Sequence, residues 1–559
     1  MVINLPIKPQ AVIFVICAVL GSLAWMARAE DPRTAADREP RIVNIYNFVR
    51  NSDYRVPDSK NVLYETTRRQ IQLLKQAGLP ATWALQYDAL INTNYQKLFK
   101  EQLGTNDEIG AWLEIPQPLA EKAGIKWRGE HEWDSTANIG FSPGYMPEER
   151  RKLVDVYMAD FKAIFGYYPR TAGSWFIDEV TLDYMARRYG IIASCNCKDQ
   201  VGTDGYTLWG GYWNQAYYPS RLNAYMPAQT RAGQIDVPIF RMLGSDPIYQ
   251  HGNTPGIWTL EPVYPQAGGS ADWVAWFINT LIHEPSLAFG YTQAGQENSF
   301  GWEAMKTGLT SQVALLKKHA RAGEVRVETL ARSGEWFRRH FAITPPTCVV
   351  AFDDWQHQGR KTVWYDSRFY RLNILWENGT FFIRDLHCFD ERMVSATHGT
   401  ALTNKALDYG TLPVMDGARW PGIERAGIRP ILLTTNGDSM LMTADAPPVV
   451  KELNQTDLSI TQSLRGGGNF ILVCRESTVT CAGVDDQGKP LPWVCDMAGG
   501  ERQKSAVQTV TSNSIAYHYS DMNYLLRLPA GSCLQLENGD IRLRPDSSGK
   551  LAMRLNVAK

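Results

Sequence analysis

The chain has 559 residues, a formal net charge of −1 and 44% hydrophobic residues. This length suggests more than one domain, because single domains usually run to about 100–200 residues, although barrels can reach about 250. The hydrophobic fraction excludes wholesale disorder, and the near-zero charge gives no electrostatic footprint for nucleic acid as a partner.

Residues 1–29 have the pattern of a secretory signal peptide. Lys8 precedes an apolar run from Ala11 to Met26, and Ala27-Arg28-Ala29 fits a small-x-small cleavage site. The run is shorter than the roughly 20 residues needed to span a membrane, which favours cleavage over an uncleaved anchor. We therefore predict a secreted or periplasmic protein that begins at Glu30 and has no stable membrane insertion.

Eight cysteines follow the predicted signal peptide, and their spacing indicates structural roles. Cys195 and Cys197 lie two apart on a predicted strand, where they are badly placed to bridge one another. Cys474 and Cys481 flank a short polar turn and could close a hairpin. Because no spacing resembles a zinc site, we predict no metal here, and nothing in the sequence calls for a cofactor.

From Arg41 to Phe341, short apolar runs alternate with segments of helical period, which is typical of βα units. Eight strand-like runs within about 300 residues predict a (β/α)8-type barrel, assigned to residues 30–345. The runs are RIVNIYNFV, ATWALQYD, DEIGAWLEI, TAGSWFI, GIIASCNC, IDVPIFRML, SLAFGYTQAG and GEVRVETLA.

Beyond Pro345-Pro346 the helical periodicity nearly vanishes. Alternating runs such as RFYRLNILWE and TFFIRDLHCF appear, separated by turn signals such as Asn378-Gly379. The pattern predicts a C-terminal antiparallel β-sandwich domain over residues 346–559.

Three connections in the barrel region are too long for plain turns and are rich in aromatic and polar residues: Pro116–Tyr145, Lys198–Gln234 and Gly244–Ser270. Loops of this kind at the carboxyl ends of barrel strands usually bind substrate. Sugar rings stack on Trp and Tyr, and their hydroxyls need polar partners, so we predict a glycan or glycoprotein as the partner. A protein-interaction surface is the alternative.

Hydrolysis of a glycosidic bond usually needs a proton donor and a second carboxylate. Asp246 and Glu297 are the predicted catalytic pair, because each follows an apolar run in a polar, glycine-containing turn. A turn-initiating role for Asp246 and a capping role for Glu297 are the alternatives. Asp178 is a reserve candidate that could equally cap a helix, and His131, among carboxylates in RGEHEWD, could act as an acid or lie in a solvated loop.

Arginine placement bears on the substrate. Arg50 and Arg55 follow the first strand and Arg241 ends the sixth, so together they would suit an acidic sugar, although pairing with residues such as Asp53 is the alternative. The other predicted substrate-binding residues share the same mouth and are Trp112, Glu114, Tyr249, Gln250, Trp258, Glu261 and Gln293.

The order of runs over residues 41–192, with its EIG stretch and its arginine-bearing PRTAGSWFI stretch, resembles the polysaccharide-deacetylase barrel and related barrels of some glycoside hydrolases. In those deacetylases, Asp residues after the first strand and paired His residues after the third hold a metal. This chain has Asn47 and Trp112-Leu113-Glu114 at those places, so we expect activity without a metal.

The whole layout is also similar to barrel-type bacterial exo-sialidases that trim host mucin glycans. This resemblance implies a secreted exo-acting glycoside hydrolase, with a sialidase favoured. A hydrolase of a neutral sugar and a non-catalytic glycan-binding protein are the alternatives.

Overall fold

The computed structural model describes residues 39–252, 254–420, 426–434 and 439–555. The predicted signal peptide lies outside these residues. Within the described ranges, no helix combines the length and the apolar character needed to cross a membrane.

The first half of the described chain alternates strands with helices. The strands are β1 (Arg41–Val49), β2 (Thr82–Leu85), β3 (Glu108–Trp112), β4 (Thr171–Gly173), β5 (Ala193–Asn196), β6 (Gln200–Thr203), β7 (Tyr206–Trp209), β8 (Ala216–Tyr217), β9 (Pro219–Ser220), β10 (Asn223–Pro227), β11 (Ile239–Arg241), β12 (Gly290–Ala294) and β13 (Arg326–Glu328). The helices are α1 (Ser59–Ala77), α2 (Tyr87–Ile91), α3 (Thr93–Gln102), α4 (Gln117–Lys122), α5 (Pro147–Phe165), α6 (Glu179–Tyr189), α7 (Ala271–His283), α8 (Trp302–Arg321) and α9 (Leu330–His340).

Local sequence explains these elements. In β1 every residue after Arg41 is buried, as expected for a parallel strand that is covered on both faces. The α1 helix buries a stripe that includes Leu63, Ile71 and Leu74, and it ends at Gly78, whose φ of 71° suits glycine.

The main sheet has the order β12-β1-β2-β3-β4-β5-β11-β8, and its strands are parallel except for β8, which runs antiparallel to β11. Each of the eight predicted strand runs contains one of its strands or β13. The predicted eightfold closure is wrong, because β12 and β13 both pair with Ile42–Asn44 and so lie on opposite edges of β1. The result is a nearly closed barrel in which the Leu243 amide donates to Gln293 Oε1 (3.2 Å) across the seam between β11 and β12.

The second half of the chain consists of antiparallel strands, as the alternating runs predicted. They are β14 (Thr347–Ala351), β15 (Lys361–Asp366), β16 (Tyr370–Glu377), β17 (Thr380–Cys388), β18 (Leu407–Gly410), β19 (Leu412–Asp416), β20 (Gly427–Leu433), β21 (Ser439–Leu441), β22 (Val449–Glu452), β23 (Leu458–Ser463), β24 (Asn469–Arg475), β25 (Thr478–Val484), β26 (Trp493–Ala498), β27 (Val507–Val510), β28 (Ser514–Tyr519), β29 (Met522–Ala530), β30 (Ser532–Gln535), β31 (Ile541–Arg544) and β32 (Lys550–Arg554), with one helix, α10 (Gly500–Ala506).

Two large sheets organise this region. One has the order β14-β15-β16-β17-β20-β26-β31-β30, and the other has the order β22-β23-β24-β25-β32-β29-β28-β27. Side chains of the two sheets pack against each other: the ring of Phe470 lies 5.6 Å from that of Phe381 and 5.1 Å from that of Trp493. The alternating burial along β23 and β24 is the expected result of a period of two.

The C-terminal strands do not stand apart from the barrel, and the residues that the structure describes form one compact unit. The β18 strand pairs in parallel with β7, a strand of the barrel half. The segment between β17 and β18 also lies on the barrel loops, where the Ala137 amide donates to the Lys405 carbonyl (3.0 Å) and the Leu402 amide to the Pro143 carbonyl (2.7 Å).

All eight described cysteines are buried free thiols. The hairpin disulfide considered for Cys474 and Cys481 does not form, because Cys474 faces Val479 and Cys481 faces Leu472 in the β24–β25 ladder. An offset of two residues along the strands leaves the two thiols on positions that do not face each other.

Arg150 on α5 ties the barrel to the C-terminal segment. Its guanidinium donates to Asp178 Oδ1 (3.0 Å) and to the carbonyls of Thr397 (2.8 Å) and Thr400 (2.7 Å). Both members of the ion pair are fully buried. Asp178 also accepts from the Thr181 amide (2.9 Å), which makes it the N-terminal cap of α6.

We expect Arg150→Met to lower the free energy of unfolding by about 3–5 kcal/mol, because it leaves the buried Asp178 carboxylate without its counter-charge. Arg151→Met is the matched control, since Arg151 is the next residue on α5 and is exposed; it should change stability by less than about 0.5 kcal/mol. Urea unfolding followed by Trp fluorescence measures both. Equal midpoints for the two variants would contradict this role of Arg150.

Candidate functional site

A cavity of about 280 Å³ opens at the carboxyl ends of the parallel strands. This is the end at which α/β barrels place their binding sites. Its lining includes Arg50, Arg55, Trp133, Trp175, Lys198, Gln200, Thr203, Asp204, Tyr206, Ile257, Glu261, Tyr264, Glu297 and Phe300.

Most of the lining groups come from segments that connect a strand to the next element. Trp133 lies between the helices α4 and α5, Trp175 follows β4, and Lys198 follows β5. Tyr264 and Phe300 lie on another part of the wall, with ring centroids 6.4 Å apart. Because Trp175, Tyr264 and Phe300 keep exposed area, they offer apolar faces on which a sugar ring can stack.

Arg50, at the end of β1, holds the charges of the cavity floor in place. Its guanidinium donates to both oxygens of Glu114 (2.8 and 2.7 Å) and to Glu297 Oε2 (2.6 Å), and it lies 4.2 Å from the Trp133 ring. Arg50 is 1% exposed. Although burial opposes its charge, Glu114 and Glu297 raise the pKa of Arg50 well above its usual value, so the guanidinium stays ionised.

Glu297 directly precedes the 3-10 turn Asn298–Phe300 after β12 and is 6% exposed. The next residue fixes this loop, because Asn298 accepts from the Arg50 amide (3.1 Å) and donates to the Arg50 carbonyl (2.7 Å). The Glu297 carboxylate therefore reaches the cavity from a loop that is bonded to the end of β1. Its side chain makes no capping hydrogen bond, so the alternative capping role is not observed.

Glu261 reaches the same cavity from the long loop between β11 and α7. It is 5% exposed, accepts a hydrogen bond from Thr259 Oγ1 (2.8 Å), and lies 3.5 Å from Gln296 Nε2. Burial raises the pKa of Glu261, and the charge of Glu297 raises it further, against the lowering effect of Lys198. The two glutamates of the cavity thus differ, since Glu297 is held by a cation and Glu261 is placed to retain a proton.

Lys198 is the third charged group that reaches the cavity, and it is 3% exposed. Its ammonium donates to Gln200 Oε1 (3.2 Å), which is a neutral acceptor. Within the part of the chain that the structure describes, no carboxylate lies within 4.0 Å of it, in contrast to the carboxylates around Arg50 and Arg55.

The β6–β7 hairpin forms one wall of the cavity through Gln200, Thr203, Asp204 and Tyr206. Its turn residues Asp204 and Gly205 both have positive φ (54° and 83°), which is typical of a tight two-residue hairpin turn. The β18 strand of the C-terminal region pairs with the outer edge of β7, so this wall depends on residues 200 positions away in the sequence.

The structure brings together five of the predicted site residues. Arg50, Arg55, Glu261 and Glu297 line the cavity, and Glu114 contacts it through Arg50. Arg55 is half-exposed and pairs with Asp53 (2.7 Å), as the alternative interpretation of the arginines held.

Asp246, predicted as the partner of Glu297, does not line the cavity. Its Oδ1 accepts from the amides of Ile248 (2.8 Å) and Tyr249 (2.9 Å), and its Oδ2 from the Trp273 indole (3.2 Å). Burial raises its pKa to about 6, but this carboxyl is occupied in closing a turn. The geometry therefore favours Glu261, which the sequence placed only among the binding residues.

The other catalytic candidates also have structural surroundings. Asp178 caps α6 and pairs with Arg150, so its carboxylate is enclosed by protein groups. His131 is exposed, and its ring stacks on Tyr54 with centroids 4.2 Å apart. Neither residue lines the cavity.

The remaining predicted binding residues lie outside the cavity. Tyr249 donates to Asp354 Oδ1 (2.8 Å), and Gln250 Oε1 accepts from the amide of Trp258. Trp112 is buried in the barrel, where it stacks on Phe48 with centroids 4.2 Å apart. Gln293 bridges the barrel seam through Leu243.

Arg241 is likewise engaged inside the protein. Its guanidinium pairs with Asp199 (2.6 Å), which also pairs with Arg371 of the C-terminal region, and Arg371 in turn binds Asp385 (2.7 Å). Arg50 and Arg241 both donate to buried carboxylates of this chain, and of the two only Arg50 lines the cavity, so the structure does not bring them together at one place for a sugar carboxylate.

Most of the lining residues were not predicted from the sequence, among them Trp133, Trp175, Lys198, Tyr206, Tyr264 and Phe300. Lys198 directly follows the predicted fifth strand, so the same strand-end rule that selected Glu297 could have selected it. Asp204-Gly205 between two short apolar runs is a strong hairpin signal and could have placed Tyr206.

The metal site of the deacetylases does not fit these residues. Asn47 accepts hydrogen bonds from the Gln296 amide (3.2 Å) and Gln70 (3.3 Å), and Glu114 is bound by the Arg50 fork and Gln86 (2.6 Å). Over the described ranges, no three His, Cys, Asp or Glu side chains are grouped to hold a metal ion. The Arg50 guanidinium thus supplies a positive charge at the carboxyl ends of β1 and β3.

No protein-family model matches the chain, and no curated protein matches it. Among solved structures, it is similar to a Parabacteroides distasonis protein described as a glycoside hydrolase/deacetylase, with 15% identity and a TM-score of 0.50 over 67% of this chain and 91% of that one. It also matches a Mycobacterium smegmatis polysaccharide deacetylase (12% identity, TM-score 0.32, 55% of this chain and 93% of that one) and a Clostridium thermocellum family 4 acetyl xylan esterase (10%, 0.26, 54% and 94%).

The first of these matches shows a shared fold. It supports the predicted barrel at the level of the fold, although the strand order departs from an eightfold closure. The comparisons give the sialidase interpretation no support.

We expect Arg50→Met to lower the free energy of unfolding by about 3–5 kcal/mol, because the buried Glu114 loses its counter-charge. Lys60→Met is the control: its ion pair with Glu132 is exposed, so it should cost about 1 kcal/mol or less. Chemical unfolding of both variants measures the difference. A loss for Arg50→Met no larger than that for Lys60→Met would show that the Arg50 cluster is not a stabilising centre.

Proposed function

We propose that the protein is a carbohydrate-active hydrolase that cleaves glycosidic bonds, with Glu261 as the proton donor and Glu297 as the ionised carboxylate. The supporting observation is that two carboxyl groups with different electrostatic surroundings line one aromatic-walled cavity at the mouth of the barrel. A cavity of about 280 Å³ is near the lower end of small-ligand sites, which begin at about 300 Å³.

The catalytic role of each glutamate follows from the groups that surround it. Glu261 would protonate the departing glycosidic oxygen, because burial and the charge of Glu297 both favour its protonated form. Glu297, oriented by Arg50, would act from the other side of the sugar, as a nucleophile or as a base for water. Measuring the anomer released by NMR distinguishes the two routes.

Removing either group should reduce turnover by about 10²–10⁴-fold. The variants are Glu261→Gln and Glu297→Gln, assayed on a panel of neutral and acidic aryl glycosides, with acetylated sugars added to detect ester cleavage. Asp246→Asn is the comparison, because Asp246 lies outside the cavity; it should retain more than about a tenth of wild-type turnover.

Thermal unfolding of all three variants controls for loss of fold. If Asp246→Asn is inactive and Glu261→Gln is active, the pair predicted from the sequence is right and the one proposed here is wrong. No turnover of any compound by the wild type would favour the non-catalytic glycan-binding protein.

The pH dependence should report the proton on Glu261. Turnover requires that proton, so activity should fall as the pH rises through the raised pKa of Glu261. The charges that act on Glu261 are Glu297, which raises its pKa, and Lys198, which lowers it, and Thr259 and Gln296 also lower it by hydrogen bonding. Removing the ammonium by Lys198→Met should therefore raise this pKa further.

The expected result for Lys198→Met is an alkaline limb of the profile on a neutral aryl glycoside that moves to higher pH. Lys318→Met, an exposed change on α8, should leave the limb in place. An alkaline limb that does not respond to Lys198→Met would assign the titration to a group other than Glu261.

A further inference from the structure

Lys198 lines the cavity as a buried ammonium group that contacts no carboxylate in the part of the chain that the structure describes. Lysine is almost never fully buried unless it is paired, because an ammonium that leaves water loses its hydration. Here the side chain is 3% exposed, and the hydrogen bond of its Nζ goes to the neutral Gln200 Oε1. The ammonium has three protons to donate, so it keeps donor capacity directed at the cavity.

The other two cations of the cavity are in direct contact with three carboxylates. Arg50 binds Glu114 and Glu297, and Arg55 binds Asp53. These carboxylates are held by the arginines, so they are not free to move to Lys198. Asp204 lies at the exposed tip of the β6–β7 hairpin, where water weakens its interaction with any buried charge.

Glu261 is the remaining acid of the cavity. Whether its carboxyl group is protonated depends on the function proposed above. A proton donor is neutral before it reacts, so Glu261 in that state gives Lys198 no counter-charge. No carboxylate of the described residues then contacts the ammonium, whose hydrogen bond goes to Gln200, so a direct counter-charge for Lys198 has to come from the ligand.

We propose that Lys198 binds an anionic substituent, a carboxylate or a sulfate, of the sugar that occupies the cavity. The substrate class is therefore an acidic glycan. This inference rests on the proposed function for the state of Glu261, but it assigns the recognition of the anion to Lys198 and not to Arg50 or Arg241.

The test is calorimetric titration of the full chain carrying Glu261→Gln, which keeps the neutral state of that residue and prevents turnover of the ligand. The probes are D-glucuronate, D-galacturonate and glucose 6-sulfate, each compared with glucose or galactose at about 0.15 M ionic strength. We expect at least one acidic sugar to bind about 10- to 100-fold more tightly than its neutral counterpart, as for hydrogen bonds to a charged group.

Adding Lys198→Met should abolish this preference, whereas Lys318→Met should preserve it. The uronates and the sulfate distinguish the two sources of the anion. Equal affinity for acidic and neutral sugars, a preference that survives Lys198→Met, or no binding of any acidic sugar would each overturn the proposal.

Thermal unfolding without ligand gives a second readout. Lys198→Met should raise the unfolding temperature, because it removes a buried charge that contacts no carboxylate of the described ranges in the free protein. A lower unfolding temperature would mean that the ammonium is already stabilised internally, which overturns the proposal. If acidic sugars bind as expected but Glu261→Gln and Glu297→Gln retain full turnover, the catalytic assignment fails and the anion site stands.

Discussion

The arrangement of the cavity depends on the buried guanidinium of Arg50. Its Nε and Nη2 donate to the two carboxylate oxygens of Glu114, which follows β3. Its Nη1 donates to Glu297, which lies in the loop after β12. A buried cation of this kind is stable only if its counter-charges are well placed, so the ends of three strands are held at fixed distances. The same contacts orient Glu297 toward the cavity.

The ion pairs of Arg50 also determine which charged groups of the cavity can act on a substrate. Glu297 is an oriented carboxylate, Glu261 is an acid whose proton is favoured by burial, and Lys198 is a buried cation beside a neutral amide. The three groups belong to different loops and differ in their electrostatic surroundings. Because all three groups are buried, water weakens these differences in charge only slightly.

The C-terminal region takes part in building this site. Its β18 strand supports the hairpin that carries Gln200 and Tyr206, and Arg371 continues the charge network of Asp199 and Arg241. Arg150 binds carbonyls of the segment that precedes β18. The cavity wall at the carboxyl ends of the barrel strands is therefore complete only when the antiparallel sheets are folded against the barrel.

The sequence by itself determined the eight strand runs of the barrel region, the change to antiparallel strands after Pro346, and the strand end that Glu297 follows, because these follow from local periodicity and turn chemistry. It left open whether Arg50 would bind substrate or protein, and it placed Asp246 in the catalytic pair. Only the tertiary structure decided these points, since Arg50 meets Glu114 and Glu297 across 64 and 247 residues. Such distances depend on how the strands and loops pack together, and no local pattern in the sequence encodes them.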